Sequence, residues 1–94
     1  MNAEKVLGTN TSHDVKIFTL STCGWCRKTK ELLKDLNVQY EYIDMDKIEG
    51  LDQTTARAEL KKYNPRASYP TIVIDDGKIV IIGYKEDEIH EVFS

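Results

Sequence analysis

Hydrophobic positions in this chain fall into short blocks of two different periods. Val15-Lys16-Ile17-Phe18-Thr19-Leu20 is a β-type run, and its adjacent Ile17 and Phe18 predict burial on both faces. Ser21-Thr22 then turns the chain into Cys23. From residue 24 to 36 the period lengthens, with Thr29, Leu32, Leu33 and Leu36 recurring at helical spacing. Asn37 tolerates the left-handed backbone that ends many helices. A second strand is predicted over residues 39–45, rich in Tyr40, Tyr42 and Ile43.

Residues 46–51 read as a linker containing Gly50, after which Asp52 is placed to cap a second helix. Ala56, Leu60 and Tyr63 share one face of that helix, and Asn64-Pro65 ends it because a residue before proline avoids helical geometry. Pro70-Thr71-Ile72-Val73-Ile74 and Lys78-Ile79-Val80-Ile81-Ile82 flank Asp75-Asp76-Gly77, a strong hairpin signal. A last helix spans residues 86–93, with Ile89, Val92 and Phe93 facing one way. Glu86, Asp87 and Glu88 sit in its first turn, where the helix dipole favours them. The first fourteen residues are polar and without period, and read as a loose arm or short added segment.

The resulting order is β-α-β-α-β-β-α, an α/β arrangement. The first three elements form a βαβ unit with a parallel strand pair, and the final hairpin is antiparallel, giving a mixed four-stranded sheet flanked by helices. The chain divides into an N-terminal arm, residues 1–14, and one domain, residues 15–94.

Composition narrows the function classes. Ninety-four residues with 40% apolar and 31% charged side chains suit one globular domain. A net charge of −3 gives no electrostatic reason to expect nucleic acid, and no apolar run is long enough to span a bilayer. The first residues lack the cationic start and apolar stretch of a secretory signal, so a cytoplasmic location is the expectation; the chain is also expected to be a monomer.

The chain has 2 cysteines, Cys23 and Cys26, separated by two residues. A bridge closing so short a loop removes little chain entropy, so reactivity explains the pair better than stability. With Cys23 at the start of a helix, its sulfur meets unpaired backbone N–H groups and the positive end of the helix dipole, both of which favour thiolate. Cys26 lies one turn deeper on the same face and can reach the first sulfur. Cys23 is then the nucleophile toward a disulfide and Cys26 the thiol that resolves the mixed disulfide. A structural zinc site needs two further ligands, and no second cysteine pair exists, so no metal site is assigned. A dimer using Cys23 from each chain to carry an iron–sulfur cluster is the alternative. His13 and His90 are expected to be exposed and inert.

Four segments together resemble the glutaredoxins. They are Phe18 through Lys30, Tyr40-Glu41-Tyr42-Ile43-Asp44, Ser68-Tyr69-Pro70-Thr71-Ile72 and Ile82-Gly83-Tyr84. The resemblance extends to the glutaredoxin-like hydrogen donors of ribonucleotide reductase and to archaeal methanoredoxin-type members. It implies a thioredoxin-like fold and thiol–disulfide exchange. It also implies a cis-proline at Pro70 opposite the dithiol, presenting the Tyr69 backbone to substrate, and a groove shaped by Tyr69, Pro70, Gly83 and Tyr84. Trp25 would border that groove, packing on Tyr69 or Tyr84. The partners implied are disulfide-containing proteins or mixed disulfides. The electron donor implied is a small thiol, glutathione or another such as coenzyme M, or a thioredoxin-reductase-type protein. Leu20 stands where the family's glutathione-binding lysine is placed, and Tyr84-Lys85 replaces its acidic pair. Lys62, Arg66 and Lys85 are the cations left to meet an anionic group of a different thiol.

Overall fold

In the computed structural model, which describes residues 3–93, the predicted elements appear in order with one addition at the start. They are β1 (Glu4–Val6), β2 (Val15–Thr19), α1 (Gly24–Asp35), β3 (Tyr40–Asp44), α2 (Gly50–Tyr63), β4 (Thr71–Ile74), β5 (Ile79–Ile82) and α3 (Glu86–Phe93). A single 3₁₀ turn, Met45–Lys47, follows β3. Met1 and Asn2 of the predicted arm, and Ser94 of the predicted domain, lie outside the described residues.

The sheet has five strands rather than the predicted four, in the order β1-β3-β2-β4-β5. The extra strand comes from the segment read as a loose arm: Glu4, Lys5 and Val6 pair antiparallel with Tyr42, Glu41 and Tyr40. Three mostly exposed residues carry no alternation to detect, and the neighbouring strand supplies the order that propensity does not. The connection to β2 is also tied down. The Asn10 amide donates to the Asn37 carbonyl at 2.8 Å, and the Gln39 amide donates to the Asn10 carbonyl at 3.0 Å. Gly8 permits this close approach, since a Cβ there would stand 2.5 Å from the Asn37 carbonyl oxygen.

The parallel β2–β3 pair and the antiparallel β4–β5 hairpin follow the prediction, and β4 also pairs antiparallel with β2. Ile17 and Phe18, both fully buried, anchor opposite faces of the central strand. Ile17 joins Leu33, Ile72, Ile81, Ile89 and Phe93 under α1 and α3. Phe18 joins Ile43, Met45, Ala56, Leu60 and Val73 under α2. Helix α1 stops at left-handed Asn37 (φ 58°), and α2 stops at Asn64, before Pro65. Helix α2 begins three residues earlier than expected; Asp52 lies in its first turn, and the capping position is Glu49. In the β4–β5 turn Asp75, Asp76 and Gly77 all have positive φ, and a Cβ on Gly77 would strike the Tyr63 ring at 2.4 Å.

The histidines differ from expectation, because both are half-buried. His13 packs edge-on against Phe93, its ring centroid 5.6 Å away, and its Nδ1 lies 2.7 Å from Asp75 Oδ2. Asp75 also accepts the Asp14 amide at 2.9 Å. The His13 contact first, and that amide second, hold the Asp75 carboxyl below the ordinary carboxylate range.

Candidate active site

At the end of β2 the chain leaves the sheet through Leu20, Ser21 and Thr22 and enters α1 at Cys23. Cys23 is the N-cap residue, extended at φ −86° and ψ 116°, and its Sγ accepts the Cys26 amide at 3.2 Å. The sulfur thus takes the place a capping oxygen usually holds. The backbone of Cys23 is fixed as well, by its amide to the Leu20 carbonyl at 3.1 Å and its carbonyl from the Arg27 amide at 3.1 Å. Both cysteines are free thiols, Cys23 half-buried and Cys26 only 1% exposed.

Burial separates their chemistry. The Cys26 thiol is pushed up to about 12, first because its thiolate would be desolvated and second by its hydrogen bond with Cys23. A backbone hydrogen bond at Leu20 and the nearby Lys30 charge pull the other way. Cys26 is therefore protonated at neutral pH while Cys23 is the sulfur that solvent reaches.

Asp46, just beyond β3, holds the loop before the dithiol. Its carboxylate accepts the Ser21 amide at 2.9 Å and the Ser21 hydroxyl, and these two bonds keep it below the ordinary carboxylate range. Sequence spacing does not link positions 25 residues apart, so this contact was not foreseen. Nor was the role of Asn64, read only as a helix stop. Its buried amide donates to Thr71 Oγ1 at 2.9 Å and Ser68 Oγ at 3.0 Å, setting the loop that leads into β4.

The Tyr69–Pro70 bond in that loop is cis, in line with the resemblance. Trp25, Tyr69, Pro70, Gly83 and Tyr84 come together around one groove of about 160 Å³ beside the dithiol helix. The Gly83 amide donates to the Pro70 carbonyl at 2.8 Å, joining two of its walls. Trp25, 58% exposed, stacks on Tyr84 with centroids 5.7 Å apart and planes 23° apart. Lys28 Nζ lies 5.4 Å from the Trp25 ring centre, within cation–π range. Both groove tyrosines ionise above their ordinary range, Tyr69 through burial and Tyr84 through its hydrogen bond to Glu86, so the groove lining is uncharged at neutral pH.

The cations left for an anionic thiol are divided. Lys85 sits beside Gly83, its Cε 3.9 Å from where a Cβ would stand there, whereas Lys62 lines a separate hollow with Asp14, Lys16, Glu41 and Glu59. That second hollow is larger, about 260 Å³, but holds no sulfur, and its Lys16 is paired with Glu59 at 2.7 Å. The smaller groove is the one that Trp25, between the two cysteines on the dithiol helix, helps to line. Among the described residues, no three His, Cys, Asp or Glu side chains converge as metal ligands would.

A βαβ unit and antiparallel hairpin, with a dithiol at the first helix N-terminus and a cis-proline in the groove that Trp25 also lines, define a thioredoxin-fold thiol–disulfide oxidoreductase. Residues 15–80 match the sequence model of the glutaredoxin family, and the chain belongs to that family. A glutaredoxin-like 8.6 kDa protein of the Clostridium pasteurianum rubredoxin operon is 31% identical over 80 residues, covering 85% of this chain and 97% of that protein. The glutaredoxin of Methanosarcina mazei Go1 superposes with a TM-score of 0.87 at 39% identity, covering 98% of this chain and 87% of that one. Methanoredoxin of Methanosarcina acetivorans superposes with a TM-score of 0.80 at 37% identity, covering 86% and 84%.

Proposed function

We propose that the chain reduces protein or low-molecular-weight disulfides through its dithiol, with Cys23 as nucleophile and Cys26 as resolving thiol. The observation that carries this reading is the asymmetry of the pair: an accessible sulfur at the helix cap, and a buried, protonated one a turn behind it. Cys23 thiolate attacks one sulfur of the target, forming a mixed disulfide and expelling the other half as thiolate. Cys26 then loses its proton and attacks Cys23 Sγ. The second half leaves as a thiolate that takes up a proton, and the protein holds a Cys23–Cys26 disulfide. Two electrons have passed to the target, and two electrons with two protons from the donor restore the dithiol.

The uncharged groove, walled by Trp25, Tyr69, Pro70, Gly83 and Tyr84, receives the target through ring faces and exposed backbone rather than ion pairs. The donor is a small thiol, glutathione or another such as coenzyme M, or a thioredoxin-reductase-type protein. Rates with several thiols, for wild type and Cys26→Ser on a small mixed disulfide, separate these. If Cys26→Ser keeps its rate with one thiol, that thiol is the donor and Cys23 suffices. If the variant stops while wild type still reduces protein disulfides, both sulfurs are needed and a reductase is the source. Cys23→Ser abolishes both activities; turnover retained in that variant would falsify the assignment.

A further inference from the structure

The resolving step has an unsolved requirement: a buried thiol must become a thiolate before it attacks. Four residues below the dithiol bear on this. Lys30 lies four residues after Cys26 on α1, the spacing that stacks side chains on one helix face. Its side chain is only 23% exposed, and its head is clamped. Nζ donates to Asp44 Oδ1 at 3.3 Å and stands 3.8 Å from the centre of the Tyr42 ring. Asp44 is itself fixed, because Thr19 Oγ1 donates to the same Oδ1 at 2.5 Å. Thr19 and Asp44 are register partners at the ends of β2 and β3, directly where the chain turns toward the dithiol. A lysine free in solvent would spread its charge over many rotamers; this one holds its charge in one place.

We propose that Lys30 is a positioning residue for the resolving step. Clamped by Asp44 and Tyr42, its ammonium stabilises the negative charge on Cys26 as the thiol proton leaves. The inference rests on the dithiol reading above. The proton of Cys26 passes to solvent, and the departing thiolate takes one up. The titratable groups that face the Cys26 sulfur are Cys23 and Lys30 on α1 and Tyr69 on the loop before β4. Asp46 and Arg57 bear on Tyr69 instead, and Asp44 on the lysine.

The test is stopped-flow release of a dye-labelled peptide from its mixed disulfide with Cys23, followed against pH in the full chain. Lys30→Met should slow release about tenfold at pH 7 and displace the rate–pH line upward by about one unit. Attack of Cys23 on the same peptide disulfide should stay within about twofold, and Lys30→Arg should recover most of the release rate. Lys30→Gln, which keeps a polar head for Asp44, carries the same expectation as Lys30→Met should that variant fail to fold. Release unchanged in both neutral variants, both steps falling alike, or no rescue by Lys30→Arg would each overturn the role. A wild type that never releases the peptide overturns the dithiol reading itself.

Discussion

The two ends of the central strands use carboxylates in the same way and arrive at opposite results. At one end of β2, Asp75 binds the Asp14 amide and meets His13, which in turn rests on Phe93. At the other end, Asp46 binds Ser21, and Asp44 binds Thr19 and Lys30. At the His13 end the polar groups satisfy one another and the hairpin turn closes the structure. At the dithiol end the same kind of anchoring surrounds a sulfur left accessible and a groove left uncharged. Polar anchoring alone does not mark a site. A reactive atom held rigidly beside open space does.

Substitutions sharpen this contrast, beginning with the largest effect. Cys23→Ser reduces disulfide turnover to background with little change in thermal stability, since a hydroxyl can cap the helix as the sulfur does. Phe18→Ala, beneath both ends, removes a fully buried ring and costs about 3–5 kcal/mol in urea unfolding. Trp25→Ala changes stability by less than about 0.5 kcal/mol, because the ring is largely exposed. It weakens reaction with peptide disulfides while leaving alkylation of Cys23 by iodoacetamide near wild type.

The smallest effect belongs to the His13 end and shows as a pH dependence. Asp75 titrates below its unfolded value of 3.8, so its contribution to stability is complete above that pH and fades as pH falls toward the lowered folded value. Asp75→Asn keeps a residue that tolerates the local φ of 52° and flattens that acid limb in melting curves below about pH 4. Disulfide reduction at neutral pH should be unchanged. A variant that slowed it would show the two ends to be coupled.

Most of the architecture was legible because it rests on local signals. The period change at Cys23, the Asn-Pro stop and the Asp-Asp-Gly turn each act within a few residues, and α3 spans the predicted residues 86–93. The edge strand Glu4–Val6 was not legible, since its order comes from pairing with β3. The dithiol showed in its spacing, and the groove residues came from the family resemblance. What stayed hidden were the supports: Asp46 under Ser21, Asn64 under Thr71, Asp44 under Lys30. Each joins elements by tertiary geometry, for which a one-dimensional pattern has no mark. His13 was misread for the same reason, since its partner Asp75 lies 62 positions away.

The division of labour between the two sulfurs is tested most directly by mass spectrometry of Cys26→Ser after mixing with a disulfide-bonded peptide. One half of the peptide should remain attached, the adduct mapping to Cys23, while wild type under the same conditions releases both halves and ends as the intramolecular disulfide. An unmodified variant, or wild type that accumulates the same lasting adduct, would contradict the account.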